Sequence, residues 1–207
     1  MRGRDVYVFV FDGVADWESA FAIAGINNPQ FQRVPGRYRV VTVGCSIHPV
    51  TTMGGMRILP DISVAEIEIN RAAMLILPGG GLWTDDNCAH ILDVGRRFRI
   101  RGIPVAAISE ATLALARAGM LDDFHHTSNS REYLAATGYH GVAFYCDVPA
   151  IADEGLITAS GFASVGFARE IFRELGLYAQ PSLDAWYALL RFGDASRYSD
   201  VLTCASR

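Results

Sequence analysis

Residues 104–116, PVAAISEATLALA, constrain the fold more than any other stretch, because an apolar run opened by Pro104 passes directly into an alanine- and leucine-rich segment. The first part is too short for a helix and reads as a buried strand, and the second reads as a helix ending at Gly119. Ser109 falls at the turn between them, with Ala107 and Ala111 two residues away on either side. This Ala-x-Ser-x-Ala pattern resembles a nucleophile elbow, where small neighbours let a strand cross sharply into a helix beneath an exposed side chain. An ordinary strand-to-helix turn whose serine caps the helix fits the same letters. The rest of the chain has to choose between them.

The run at 5–11 is apolar at every second residue on both faces, which suits the centre of a parallel sheet covered by helices. A helical run at 19–25 follows, so Asp16 and Glu18 fall beyond the carboxyl end of a central strand, where open α/β sheets place their ligands. A helix cap and a dipole-matched residue describe the same two carboxylates. A second strand at 37–44 alternates and belongs nearer an edge. Short extended pieces at 49–53 and 56–59, joined by Gly54 and Gly55, form a small β excursion, and 61–67 forms a short helix or turn. The strand at 73–77 stops at Pro78, Gly79, Gly80 and Gly81, ahead of a helix over 85–101. Glycines between a strand and a helix expose backbone N–H groups that can hold an anion or an oxyanion, or serve only a tight turn. Neither the dinucleotide nor the P-loop glycine spacing is present.

Beyond the 104–116 stretch, a polar loop at 120–129 carries His125 and His126 as candidate bases and precedes a helix over 130–137. Late strands are expected at 142–145 and 156–160, then a helix at 165–175 closed by Gly176 and a final helix at 183–192. Strand and helix alternate often enough to imply an α/β fold with a parallel sheet and right-handed crossovers. The last helix, with Trp186, Tyr187, Leu189 and Leu190, is expected to cover the core.

A chain of 207 residues, 51% of them hydrophobic, suits one domain spanning 1–207, with 178–207 as a C-terminal helical extension. A net charge of −4 argues against a nucleic-acid partner. The basic run at 96–101 lies where a helix should end and compensates its dipole. The amino-terminal apolar run is too short to span a bilayer or form a signal core, so a cytoplasmic protein with no membrane partner is expected. Cys45, Cys88, Cys146 and Cys204 show no metal-type spacing and read as free thiols. No metal site and no cofactor are expected.

Taken together, FDGVADWE at 11–18, TMGG at 52–55, LILPGG at 75–80, VAAISEAT at 105–112 and ITASG at 157–161 resemble the PfpI-type intracellular protease/amidase family. That superfamily also holds the parkinsonism-associated deglycase and shares the class I glutamine amidotransferase-like fold. The resemblance runs from about residue 5 to 177. It implies a flavodoxin-like three-layer α/β sandwich with a mostly parallel central sheet, assembled as a homodimer or larger oligomer. It also implies a small-molecule substrate, since members include peptidases, amidases, isocyanide hydratases, glyoxalases or deglycases, chaperones and redox sensors.

By motif position the resemblance makes Ser109 the elbow residue and Glu18 its protonated glutamate partner. Gly79 and Gly80 supply an oxyanion hole, with Glu110 counted beside them. Two departures stand out. The family's nucleophilic cysteine is Ser109 here, and the residue where many members carry a histidine falls near Asn129, as in a histidine-asparagine branch of the family. Glu110 stands where some protease-like members have histidine, which places peptidase activity below small-molecule chemistry. A serine is too weak an acid to be activated as a thiol is, so it needs a base, for which Asp16, Glu18, His125 and His126 are the candidates. Three readings follow: a hydrolase, amidase or hydratase using Ser109, with Glu18 or His126 relaying the proton; a non-catalytic binding, stress-response or regulatory protein on the same scaffold; or a cysteine enzyme silenced by a cysteine-to-serine replacement.

Overall fold

In a computed structural model, which describes residues 3–84 and 89–204, a seven-stranded sheet organises the chain. The elements run β1 (Arg4–Phe9), α1 (Asp16–Asn27), β2 (Tyr38–Gly44), β3 (Val50–Thr51), β4 (Arg57–Ile58), β5 (Ile62–Ser63), β6 (Ala72–Leu77) and α2 (Ala89–Ile100). They continue with β7 (Val105–Ile108), α3 (Glu110–Arg117), α4 (Arg131–Ala135), β8 (Ala150–Asp153), β9 (Leu156–Ala159), α5 (Ser164–Glu174), α6 (Gln180–Phe192) and α7 (Tyr198–Cys204). The sheet order is β5-β2-β1-β6-β7-β9-β8, parallel throughout except for the antiparallel edge strand β8. β3 and β4 form a separate antiparallel hairpin.

Successive side chains of a strand point to opposite faces, and β1 shows what covers each. Tyr7 and Phe9 enter a core with Leu75, Leu77, Val105, Phe98 and Leu115, under α2 and α3. Val6 and Val8 enter a second core with Ile76, Ile108, Phe167, Phe172 and Trp186, under α1, α5 and α6. Burial on both faces explains why the central strands read as unbroken apolar runs, and it gives a three-layer α/β sandwich. Leu183 and Trp186 of α6 are buried in the second core, with Tyr187 and Leu189 packed against it, while Leu190 stays 42% exposed.

Several elements differ from expectation. The apolar run at 142–145 is not a strand. Gly141–Phe144 makes a 3-10 turn, Tyr145 packs against the His126 ring, and an isolated bridge pairs Tyr145 with His126 outside the named strands. The edge is made instead by β8, whose residues are all half-buried, as an edge strand tolerates; it joins β9 through Glu154 and Gly155, both with positive φ. The segment at 61–67 divides into β5 and a 3-10 turn at Val64–Glu66 closed by a capping box between Ser63 and Glu66. The start expected for α2 at 85–88 lies outside the described residues, and α7 falls in the stretch read as a C-terminal helical extension, where the sequence places only the helix at 183–192 individually. Among the described residues, no helix is long and apolar enough to cross a membrane. Cys45 and Cys146 are free thiols; the side chains of Cys88 and Cys204 lie outside those described.

Candidate functional site

Three connections at the carboxyl ends of β1, β6 and β7 converge. After β6, the Trp83 indole donates to Pro78 O at 2.6 Å and fixes the glycine turn, while Ala15 N–H donates to Gly79 O at 3.1 Å. This ties the start of α1 to the turn and aims Glu18, 3% exposed, at the Gly79 N–H, which it accepts through Oε2 at 2.5 Å. After β7, Ser109 takes φ 57° and ψ −126°, and its side chain makes no cap hydrogen bond to α3. The helix start is closed by Thr112, whose hydroxyl and N–H both donate to Ser109 O.

Freed from capping, the Ser109 hydroxyl donates to Glu110 Oε2 at 2.8 Å and accepts from Asn129 Nδ2 at 3.3 Å. The same Glu110 oxygen accepts the Gly80 N–H at 3.1 Å. Asn129 Oδ1 accepts the Gly161 N–H at 2.9 Å, which settles the orientation of its amide. The loop carrying Asn129 is held by Thr127 N–H on Thr158 Oγ1 and by the Thr112–Ser128 hydroxyl pair. Gly79 and Gly161 admit no side chain here: a Cβ on Gly161 would sit 2.6 Å from Ser109 Oγ and 3.2 Å from Glu18 Oε1, and one on Gly79 would meet Glu18, Glu110 and Ser109 together.

Burial pushes the Glu18 carboxyl from its ordinary 4.5 up to about 7, against the pull of the Gly79 N–H and the Ser109 hydroxyl, and the neighbouring Glu110 charge adds to the rise. Glu18 therefore holds a proton for much of the time at neutral pH. No basic side chain hydrogen-bonds Ser109, Glu18 or Glu110 among the described residues.

Of the residues singled out in the sequence, Glu18, Gly79, Gly80, Ser109 and Glu110 come together. Asp16 and His126 do not join them. Asp16 accepts the Gly54 N–H at 2.6 Å, and the Thr52 hydroxyl and Gly54 N–H hold its pKa below the ordinary value, so it anchors the β3–β4 hairpin to α1. His126 is fully buried with both ring nitrogens engaged, Nδ1 with Phe124 O at 2.8 Å and Nε2 with the Tyr139 hydroxyl at 2.9 Å; burial lowers its pKa. That pairing fits a neutral ring donating through Nδ1, a packing role remote from proton relay. His125 pairs with Asp153 at the surface. The two glycine N–H groups assigned to an oxyanion hole are occupied by the carboxyls of Glu18 and Glu110, so Glu110 competes for that position instead of helping to build it. In the sequence Asn129 is marked only as lying near the position where many members of the family it resembles carry a histidine, and Gly161 only as the glycine ending the ITASG stretch; neither is given a role. No group of three His, Cys, Asp or Glu side chains able to hold a metal occurs among the described residues.

A buried serine on a strand-to-helix turn, faced by a glutamate from the first turn of α1 on a mostly parallel sheet, defines an α/β protein with a polar centre at its strand ends. The chain belongs to the DJ-1/PfpI family, which it matches over residues 4–174, and has that family's flavodoxin-like α/β fold. It is 37% identical over 211 residues to the uncharacterized protease YoaZ of Bacillus subtilis, with all of both chains covered. Among solved structures it resembles a ThiJ/PfpI family protein from Bacillus anthracis, 35% identical with TM-score 0.90, covering 100% of this chain and 99% of that one. It also resembles a DJ-1 superfamily protein from Agrobacterium tumefaciens, 33% identical with TM-score 0.81, covering 92% and 98% of the two chains.

Proposed function

We propose that the chain is a hydrolase of small, uncharged amides, with Ser109 as nucleophile on a nucleophile elbow and Glu110 as its base. The hydrogen bond from Ser109 Oγ to Glu110 Oε2 at 2.8 Å carries this reading, since it joins a hydroxyl that caps nothing to a carboxylate able to take its proton. Ser109 Oγ attacks the carbonyl carbon and its proton passes to Glu110. The C–N bond then breaks, and the departing nitrogen takes the proton of Glu18, leaving an acyl ester on Ser109. Water attacks that ester, gives a proton to Glu18 and releases the acid, and Glu110 returns its proton to Ser109. Two carboxyls beside the nucleophile favour a neutral substrate over an anionic one. Ser109 is only 5% exposed, which favours a small amide over a polypeptide, although the Bacillus subtilis relative carries the name protease.

One observation favours a second reading, a non-catalytic binding or regulatory protein: both glycine N–H groups are already taken by carboxyls. Ammonia release from a panel of small amides separates the two. Turnover lost in both Ser109→Ala and Glu110→Gln supports the hydrolase, turnover unchanged in Ser109→Ala overturns Ser109 as nucleophile, and absence of turnover supports the silent protein. The same proposal includes a homodimer working in the cytoplasm. Trp17, Met53 and Met56, each more than half exposed where α1 meets the β3–β4 hairpin, support the dimer. Light scattering of the purified protein tests it, and a monomer at micromolar concentration counts against it.

A further inference from the structure

Asn129 lines a groove of about 630 Å³, a size that suits a small organic ligand. The loop after β9 contributes Ser160 and Phe162, α6 contributes Tyr187 and Leu190, and α1 contributes Phe21. Ser160 and Phe162 flank Gly161, the residue packed against Ser109 Oγ, so the groove begins beside the buried serine. Phe162 is 96% exposed, Leu190 42% and Phe21 37%, which leaves three apolar side chains uncovered around one concavity. The charged residues lining it, Asp147 and Arg191, are of opposite sign.

The Asn129 amide is oriented for an oxygen ligand. Its Oδ1 is fixed by the Gly161 N–H, one N–H of Nδ2 goes to Ser109 Oγ, and no acceptor among the described residues takes the other. The Gly79 and Gly80 N–H groups, in contrast, are satisfied by Glu18 and Glu110. Asn129, which lines the groove, thus keeps one N–H with no protein acceptor among the described residues.

We infer that this groove is the substrate subsite, taking an uncharged primary amide that bears an aryl or branched alkyl group. The carbonyl oxygen binds Asn129 Nδ2, and the apolar group packs on Phe162 and Leu190. The assignment rests on the amide-hydrolase reading for its chemistry and on the groove alone for binding.

Phenylacetamide and acetamide test it. Wild-type protein is expected to favour phenylacetamide by roughly tenfold or more in kcat/KM, as burial of an added apolar group implies. Phe162→Ala and Leu190→Asp are expected to shrink that preference through KM. Asn129→Asp keeps the acceptor for Gly161 but removes the donor, and is expected to lower kcat by roughly a hundredfold on both amides. Separately, Ser109→Ala protein titrated with phenylacetamide by calorimetry is expected to bind it, and to lose that binding when Phe162→Ala is added. Binding without turnover in the wild type supports the subsite while overturning the hydrolase. Turnover that needs Ser109 but ignores the phenyl group and Phe162→Ala overturns the subsite while sparing the hydrolase. Absence of both binding and turnover overturns the subsite.

Discussion

Glu18 accepts the backbone N–H of Gly79 while sitting almost fully buried, and its carboxyl titrates at about 7. Unfolded, the same group titrates near its ordinary 4.5. Between those values the folded chain holds more proton than the unfolded chain, so stability falls as pH rises through the window and levels off above it. This is the reverse of a salt-bridged carboxylate, and its full size is on the order of 3 kcal/mol. Urea midpoints measured from about pH 5 to about pH 8 are expected to decline in the wild type and to decline less in Glu18→Gln. Equal slopes in the two proteins would show that Glu18 does not hold its proton.

In the proposed hydrolase the same proton would limit catalysis. If Glu18 delivers it to the departing nitrogen, kcat declines as pH rises past about 7. Glu18→Gln is expected to be slower by roughly a hundredfold or more and to lack that limb of the pH profile. A limb that survives in Glu18→Gln would assign it to another group.

A thiol at position 109 would report on the charge of Glu110, whose Oε2 lies 2.8 Å from Ser109 Oγ. A neighbouring negative charge disfavours a thiolate, by about one pKa unit at such range. Alkylation by iodoacetamide near neutral pH is therefore expected to run roughly tenfold faster in Ser109→Cys with Glu110→Gln than in Ser109→Cys alone. Identical rates would place the Glu110 charge away from the sulfur.

Gly161→Ala tests the packing around the serine without altering any polar group. Its Cβ would fall 2.6 Å from Ser109 Oγ, so the serine or the turn must shift. A displacement of that kind is expected to reduce kcat/KM by roughly a hundredfold while costing about 1–3 kcal/mol of stability, read from paired kinetics and urea denaturation. Full activity would mean that the loop after β9 moves freely away from Ser109.

The central strands were legible in the sequence because burial on both faces leaves them almost wholly apolar, and the strand-to-helix turn at Ser109 was legible because proline, a short apolar run and an alanine-rich helix punctuate it. The edge was harder to read. Ala150–Asp153 holds one strong strand former, Ile151, and pairs on one side only, while in the richer run at 142–145 Val142 and Ala143 are exposed and Tyr145 packs on the His126 ring. Within the site, residues from the first turn of α1, the glycine turn and α3 were found because each follows a strand directly. Asn129 and Gly161 come from the loops at 126–129 and after β9, whose approach to Ser109 depends on Thr127 reaching Thr158 across the sheet edge, a contact of 31 residues' separation that no local pattern encodes. Asp16 and His126 carried the right chemistry, but the direction a side chain takes from its backbone decided against both.

The backbone of Ser109 has a further consequence. At φ 57° and ψ −126° a residue without a side chain would fold more easily, and holding a non-glycine residue in so sparsely populated a region costs about 1–3 kcal/mol. The hydroxyl returns little of that to stability, since it caps no helix and shares its acceptor with the Gly80 N–H. Ser109→Gly should leave the protein as stable as before or more so. The chain thus keeps a hydroxyl at a turn where its own folding would prefer a hydrogen atom, and under the proposed hydrolase that oxygen is what the strain sets in place.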